Sequence, residues 1–344
     1  MKSASLPCIL VSDPHSIYYL TGRMIHPGER MLALALHQNG RCELFCNRLF
    51  AQHPSDDLTL IEFDDTDDCL QLLADRLSAG TVGIDKNWPS RFTLGLMEKR
   101  ADLRPVLGSA PVDQARMYKD HAERRAMRIS SDLNDQTLSR LISSIREGDR
   151  ESDLARRYIK IGKGLGARGD SFPPLICFGA NGAQPHHDTD DTPLREGDMI
   201  ILDVGLNVDG YMSDMTRTVV LGKASQEQRE VYELVKAANE AGRALAAPGV
   251  PLCEIDRATR EVIEKGGYGK YFIHRTGHGI GLEVHEGADV SASSKAVAAE
   301  GMIFSVEPGI YLPGKFGVRI EDLVLISKNG SETLNTLPRT LIEL

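Results

Sequence analysis

Residues 1–108 carry short runs of alternating apolar and polar positions, at 8–11, 31–37, 58–63 and 81–85, separated by helical stretches such as 68–78. A period of two marks strands with one face on a core, so a small N-terminal α/β domain is expected here. Gly108-Ser109-Ala110-Pro111-Val112 interrupts the pattern and places a domain boundary at about residue 110, giving domains 1–110 and 111–344. Asp113 then precedes a long helical segment with apolar residues at Ala126, Ile129, Leu133, Leu138, Leu141 and Ile145. A second helix is expected over 151–164. A third starts at Ser225, which has capping-box spacing to Gln228, and a fourth follows Pro251 and stops at Gly266-Gly267.

Two strand pairs stand between and after these helices. The β-rich runs 199–208 and 211–222 are joined through Asp209-Gly210, a strong two-residue hairpin signal, and 302–312 pairs with 317–327 around Pro313-Gly314. The two acidic pairs suggest a duplicated architecture, and the whole reads as an α+β chain.

Length and composition narrow the function classes. A chain of 344 residues is long enough for two domains with a sizeable core, and 41% hydrophobic with 26% charged residues is the balance of an ordinary soluble protein. No apolar run approaches a membrane span, and the start of the chain reads as a first strand instead of a leader. Six cysteines without framework spacing point to a reducing compartment, hence the cytoplasm. The net charge of -9, with no arginine-rich tract, argues against nucleic acid as a partner.

The candidate chemistry lies in the strand pairs. If Val208 and Tyr211 flank the turn, Asp203 stands opposite Thr216 and Gly205 opposite Asp214. Both aspartates then point to the same face as diagonal neighbours. Asp203 follows Met199-Ile200-Ile201-Leu202, an apolar run that implies burial on both faces, where a carboxylate needs a cation or a hydrogen-bonded partner. Glu307 and Glu321 repeat the arrangement in the second pair, each among β-branched and aromatic residues. Thr276-Gly277-His278-Gly279-Ile280-Gly281 adds an imidazole between glycines that allow close backbone packing. Four carboxylates and one imidazole suit manganese, cobalt, zinc or iron(II). Two divalent ions balance four carboxylates, and bridging carboxylates would hold them roughly 3.5–4 Å apart.

Asp203 and Asp214 in Asp-Val-Gly-x5-Tyr-Met-Ser-Asp-Met-Thr-Arg-Thr, the Gly-His-Gly-Ile-Gly-x3-His-Glu run, Glu-Pro-Gly-Ile-Tyr and Val-Arg-Ile-Glu-Asp together resemble the prolidase, aminopeptidase P and creatinase family. The resemblance covers nearly the whole chain. It implies a C-terminal pita-bread domain over about residues 120–340, and Tyr19-Leu20-Thr21-Gly22 resembles the entry to the family's N-terminal domain. It also implies that Asp203, Asp214, His278, Glu307 and Glu321 are the metal ligands, most readily of two manganese ions, with cobalt or zinc as substitutes. The implied activity is hydrolysis of the bond preceding proline in short peptides, by a homodimer whose N-terminal domain completes a partner's cleft. Glu307 is then the proton shuttle, and His285 or His186 stabilises the oxyanion.

His186, in Asn181-Gly182-Ala183-Gln184-Pro185-His186-His187, resembles the family's Pro-His element at the substrate site. His285 lies in Glu283-Val284-His285-Glu286, read as a strand continuing from His278. Seven residues is an odd offset that would put the two imidazoles on opposite faces, so the glycines at 279 and 281 are expected to permit a bulge or turn that returns His285 to the cavity. Arg319 is expected to pair with a ligand carboxylate or, second, with the substrate's carboxylate. Tyr211, Arg217 and Asp322 read as structural. The rival readings are a same-fold hydrolase or lyase acting on a small non-peptide compound, and a catalytically silent binding protein.

Overall fold

The computed structural model describes Met1 and residues 5–344. The chain divides into two compact units, Met1–Arg116 and Met117–Leu344. Of the opening segment, residues 2–4 lie outside the described residues, and the first strand is Cys8–Val11.

Among the described residues the first unit is built on a six-stranded mixed sheet in the order Thr59–Phe63, Cys42–Asn47, Ala33–His37, Cys8–Val11, Gly80–Ile84 and Leu103–Leu107. Side-chain alternation divides its core. Cys8 and Leu10 pack with Leu73 on one face, whereas Ile9 and Val11 pack with Ile17 on the other. Cys42–Asn47 and Leu103–Leu107 are strands beyond those expected. The first is buried over most of its length, which hides the alternation, and the second holds Pro105, which only an edge strand tolerates. The expected boundary near residue 110 falls at the start of the helix Ala110–Met117. That helix sits with the first unit, since Val112 is buried in its core and the Arg116 guanidinium lies 3.1 Å from Asp13.

The long helix expected after Asp113 is therefore two helices. The second, His121–Ser143, opens on a reciprocal capping box in which Asp120 accepts from the Glu123 backbone at 2.9 Å and Glu123 accepts from the Asp120 backbone at 2.8 Å. Its buried face also differs from the apolar stripe expected, because Ile129 is 49% exposed while Ser130, Asn134 and Thr137 are fully buried. Those polar residues serve the sheet beside them. Helices Glu151–Leu165, Gln226–Leu245 and Leu252–Lys265 complete the set, with the Ser225 and Gln228 capping box in place.

Both strand pairs form with uniform register and both are broken in the middle. In the first, Asp203 stands opposite Thr216 and Val208 opposite Tyr211, as the turn arithmetic requires. The ladder nevertheless splits at Gly205 into Met199–Val204 with Met215–Val220, and Leu206–Val208 with Tyr211–Met212, in separate sheets. A Cβ at Gly205 would come within 2.0 Å of both Ser171 Oγ and the Ser213 carbonyl, so this close approach requires glycine. The second pair splits likewise. Ile303–Val306 pairs with Asp322–Ser327, and Gly309–Leu312 with Phe316–Arg319, leaving Glu307 and Glu321 in the gap.

Backbone groups freed at a break must find partners. At the first, Asn134 Nδ2 donates to the Val204 carbonyl at 2.9 Å and Ser130 Oγ to that of Leu206 at 3.0 Å. At the second, Asn239 Nδ2 donates to the carbonyls of Val306 at 2.8 Å and Ile320 at 3.3 Å. Each break is thus supported by an asparagine on the first helix of a helix pair, followed by a broken hairpin: a twice-used unit. Among the described residues no helix is long and apolar enough to cross a membrane.

Replacing Asn239 by leucine keeps the branched outline of the side chain but removes both donations, together with the acceptor of Arg243 Nε at 2.7 Å. We expect a loss of about 1–3 kcal/mol for each carbonyl left unpaired. Thermal denaturation should show the transition of the second unit lowered by several degrees, with no change in the exposed-residue control Gln226→Ala. An unshifted transition would show that the break holds without the amide.

Candidate metal centre

The two hairpin breaks face one cavity of about 740 Å³ within the second unit, and its wall includes Asp203, Asp214, His278, Glu307 and Glu321 together with His186, His285 and Arg319. The structure thus brings together all eight residues singled out in the sequence. Hydrogen bonds to backbone carbonyls join the two breaks, as Glu321 N donates to the Thr216 carbonyl at 3.1 Å and Thr218 Oγ1 to that of Arg319 at 2.8 Å.

Three of the four acids are half held. Glu321 Oε2 accepts from Thr216 Oγ1 at 2.8 Å, Glu307 Oε1 from Ser305 Oγ at 3.1 Å, and Asp203 Oδ2 from Arg319 Nη2 at 2.5 Å. The remaining oxygens Asp203 Oδ1, Asp214 Oδ1 and Glu321 Oε1 are buried without a hydrogen-bond partner. Burial pushes the Asp214 and Glu321 carboxyls well above the usual range, and their negative neighbours push the same way. Glu307 is pushed up to about 7, by burial first, with Arg319 opposing the rise and Asp203 adding to it.

His278 completes the set. A Cβ on Gly279 would lie 1.6 Å from the Gly287 carbonyl, so bare backbone there lets the two strands close around the histidine. Burial lowers the imidazole to about 3, so the ring is neutral at pH 7. Its Nδ1 is 3.2 Å from the Gly279 carbonyl, which only accepts; Nδ1 therefore carries the proton. The lone pair of Nε2 then faces Glu307 Oε1 at 3.4 Å and Asp214 Oδ2 at 3.7 Å. Ligand atoms of Asp214, His278 and Glu321 all lie within 4.8 Å of one another. Lone pairs converging on one place fit a divalent cation, which would displace the protons that burial favours on these carboxyls, and the oxygen and imidazole donors suit a hard or borderline one.

His285 reaches the cavity by a turn, of the kind the glycines at 279 and 281 were expected to permit, and not as a strand continuing from His278. Residues 281–285 form bends, and Glu286–Val290 runs back antiparallel to Gly277–Gly279 with a register shift. The His285 ring meets that of His278 edge to face, with centroids 4.2 Å apart. His186 stands exposed on a turn after the short helix Gly179–Ala183.

Arg319 ends the strand Phe316–Arg319 and Glu321 lies beyond it, yet both reach the cavity. It is buried and heavily engaged: besides Asp203 it donates to Tyr311 Oη at 2.9 Å and Thr216 Oγ1 at 3.1 Å. Arg217 and Asp322 form a buried pair at 2.8 Å, and Tyr211 donates to Glu123 at 3.0 Å, away from the cavity wall.

Sequence reasoning passed over His274 and Tyr311. The Tyr311 hydroxyl lies 2.9 Å from His274 Nε2, and His274 Nδ1 lies 2.7 Å from the Arg275 carbonyl. Since that carbonyl only accepts, a directed chain runs from Arg319 through the tyrosine hydroxyl to His274. Tyr311 shares the parity of Glu307, a signal available in the sequence. His274 lies outside any regular element and offers none.

Residues 125–328 match the model of metallopeptidase family M24, and residues 1–118 match that of the creatinase/prolidase N-terminal domain. An uncharacterized peptidase of Staphylococcus saprophyticus is 33% identical over 342 residues, covering 97% of this chain and 96% of its own. Among solved structures, a dipeptidase from Pyrococcus horikoshii superposes with a TM-score of 0.95 at 32% identity, over 100% of this chain and 97% of that one. A prolidase from Thermococcus sibiricus does so with a TM-score of 0.92 at 35% identity, over 100% and 96%. The duplicated, twice-broken hairpin unit is the pita-bread architecture, preceded by the small α/β domain. The chain therefore belongs to metallopeptidase family M24 and carries a creatinase/prolidase N-terminal domain ahead of its catalytic unit.

Proposed function

We propose that this metallopeptidase hydrolyses the bond preceding proline in short peptides, with Asp203, Asp214, His278, Glu307 and Glu321 holding two divalent ions, manganese first and cobalt or zinc as substitutes. The observation that carries the reading is the convergence of three unpartnered buried carboxylate oxygens and the His278 lone pair on one cavity. Bound divalent ions would supply Lewis acidity and ease the ionisation of water. The prolidase and dipeptidase among the structural neighbours support the substrate class. So does the apolar part of the wall, Phe172, Pro173, Leu175 and Val284, which suits a pyrrolidine ring. An Xaa-Pro bond lacks the amide hydrogen that peptidases reading an extended backbone require. The intact donor set weighs against a silent binding protein. A homodimer belongs to the reading through the family resemblance, and the free cysteines favour a cytoplasmic setting.

In the reaction water adds to the scissile carbonyl carbon, the C–N bond breaks, and the proline nitrogen takes up a proton. Glu307 moves that proton from the water to the nitrogen. His285 donates to the carbonyl oxygen as it gains charge, with His186 as the alternative donor. Arg319, engaged with Asp203, Thr216 and Tyr311, holds the site together and is not the substrate's anchor. The C-terminal carboxylate of a dipeptide falls instead to Arg275, exposed on the cavity wall and paired at 2.9 Å with the exposed Asp289.

Turnover on Gly-Pro, Ala-Pro and Ala-Pro-Ala after chelation and manganese addition tests the activity, and elemental analysis should find about two ions per chain. Asp214→Asn should lose metal and activity together while the fold survives, because an amide oxygen is the poorer ligand. Full turnover by metal-free protein would sink the reading.

His285→Ala should keep metal content and thermal stability yet lose turnover by roughly a hundredfold to a thousandfold, as when one oxyanion donor is removed. Released metal would make His285 a ligand or ligand support, unfolding would make it a core residue, and unchanged turnover would pass the role to His186. Arg275→Met should raise KM for Ala-Pro by about tenfold to a hundredfold, the worth of a hydrogen bond to a charged group. Ala-Pro amide, which lacks the carboxylate, should change little; equal effects on both would remove Arg275 from substrate recognition.

A further inference from the structure

Glu151 lies outside the cavity, opens the helix Glu151–Leu165, and is fully buried. A carboxylate in such a place is costly unless its lone pairs are filled, and here every one of them is. Oε1 accepts from Phe178 N at 2.7 Å and from Asn181 Nδ2 at 2.9 Å. Oε2 accepts from Asp190 N at 3.0 Å and meets His187 Nε2 at 3.2 Å. One oxygen thus holds the start of the excursion that leaves the strand Leu175–Phe178, and the other holds its return. Pro185 and His186 stand at the tip, on the cavity wall. Other contacts also hold the excursion: Asn181 Nδ2 donates to Thr192 Oγ1 at 3.1 Å, and Gly182 packs so closely on Gly317 that a Cβ on Gly317 would lie 1.8 Å from the Gly182 carbonyl. Thr189 Oγ1 pins the return to the Pro174 carbonyl at 2.9 Å, and Ser152 N donates to that of Asp190 at 2.9 Å, both beyond His186.

With four donors on one carboxylate there is no lone pair left for a cation, so the cluster of Glu151, His187 and Asp190 is a clamp and not a second metal site. We infer that Glu151 is a positioning residue for peptide hydrolysis: by tying both ends of the 178–190 excursion to one buried carboxylate, it sets where His186 meets the substrate. The inference rests on the reading of His186 as a substrate-facing residue.

Glu151→Gln separates positioning from packing, because the amide has nearly the same volume. Its oxygen can keep Phe178 and Asn181, but its NH2 then faces the Asp190 N–H, donor against donor, and the return arm is released. With full-length, manganese-loaded enzyme we expect kcat on Ala-Pro to fall by about tenfold to a hundredfold, the scale of a displaced positioning group, with KM and metal content little changed. Hydrogen exchange should quicken across 178–190 and not elsewhere. Combined with His186→Ala the loss should not deepen, since both substitutions remove the same contribution.

Multiplying losses in the double variant, or a lower melting temperature with kcat and loop exchange unchanged, would overturn the inference and leave Glu151 a structural residue. A neutral His186→Ala would overturn it too, by striking His186 from the reaction. Absent Xaa-Pro turnover in the unsubstituted enzyme would defeat the functional reading instead, and the exchange measurement would still report the hold on the loop. Should Glu151→Gln fail to fold, His187→Phe loosens the return arm alone; His187 does not line the cavity, and a smaller loss of kcat, again absorbed by His186→Ala, is expected.

Discussion

Four carboxylates drawn into one buried cavity repel one another, and the surrounding structure is organised to keep them there. Arg319 neutralises Asp203 from behind, while Thr216 and Ser305 hydroxyls hold one oxygen each of Glu321 and Glu307. These contacts occupy one oxygen each of Asp203, Glu321 and Glu307, and leave Asp203 Oδ1, Glu321 Oε1 and Asp214 Oδ1 without a hydrogen-bond partner. Such a site is an electrostatic strain on the folded chain in the absence of cations, which is why burial and neighbouring charge raise the Asp214, Glu307 and Glu321 carboxyls together. A tightly hydrogen-bonded frame is the condition for tolerating it.

The frame is a pair of hairpins interrupted where the acids lie. A continuous strand sends every second side chain to the same face at fixed spacing, too regular to gather four acids around one point. Breaking the ladder at Gly205 and again beside Glu307 and Glu321 frees the backbone to turn its acids inward, and it also frees carbonyls. Asn134 and Asn239 reach from the packed helices to take up those carbonyls. The buried polar residues of the helices are therefore part of the site's construction, although none of them touches the cavity.

The carboxylates lie on the two hairpins, Asp203 in a strand and Asp214, Glu307 and Glu321 at the breaks, whereas three of the histidines that reach the site stand on irregular segments outside them. His186 is on a turn, His285 at the end of a run of bends, and His274 in the approach to the strand that carries His278. Donors held by the paired hairpins and adjustable groups on loops is an arrangement that lets substrate contacts vary without disturbing the donor set. Its cost is that each loop needs its own anchor, and buried charges provide them. Lys119 and Glu286 form one such pair at 2.9 Å beside the bend that carries His285.

The acidic pairs, the turn at Asp209-Gly210 and the register that sets Asp203 opposite Thr216 were all readable from the chain, because strand parity and turn chemistry are local rules. Helix starts at Ser225 and Glu151 followed from the same kind of local rule. Other features were decided by packing between segments far apart in sequence. The interruption of both hairpins and the polar buried face of His121–Ser143 each answer a neighbour that no local pattern reveals. The division of the expected long helix at Asp120, by contrast, carried a local signal, the capping-box spacing of Asp120 and Glu123, that sequence reasoning passed over. The return of His285 to within 4.2 Å of His278 contradicts a straight strand and was signalled only by the glycines that permit it. His274 carried no signal at all. Its place comes from Tyr311 and Arg319, which reach it across the fold. Side-chain identity and short-range periodicity thus determined which groups were available for chemistry and which faced a common side; only long-range packing decided which of them meet, because distances between segments are fixed by the core and not by the chain.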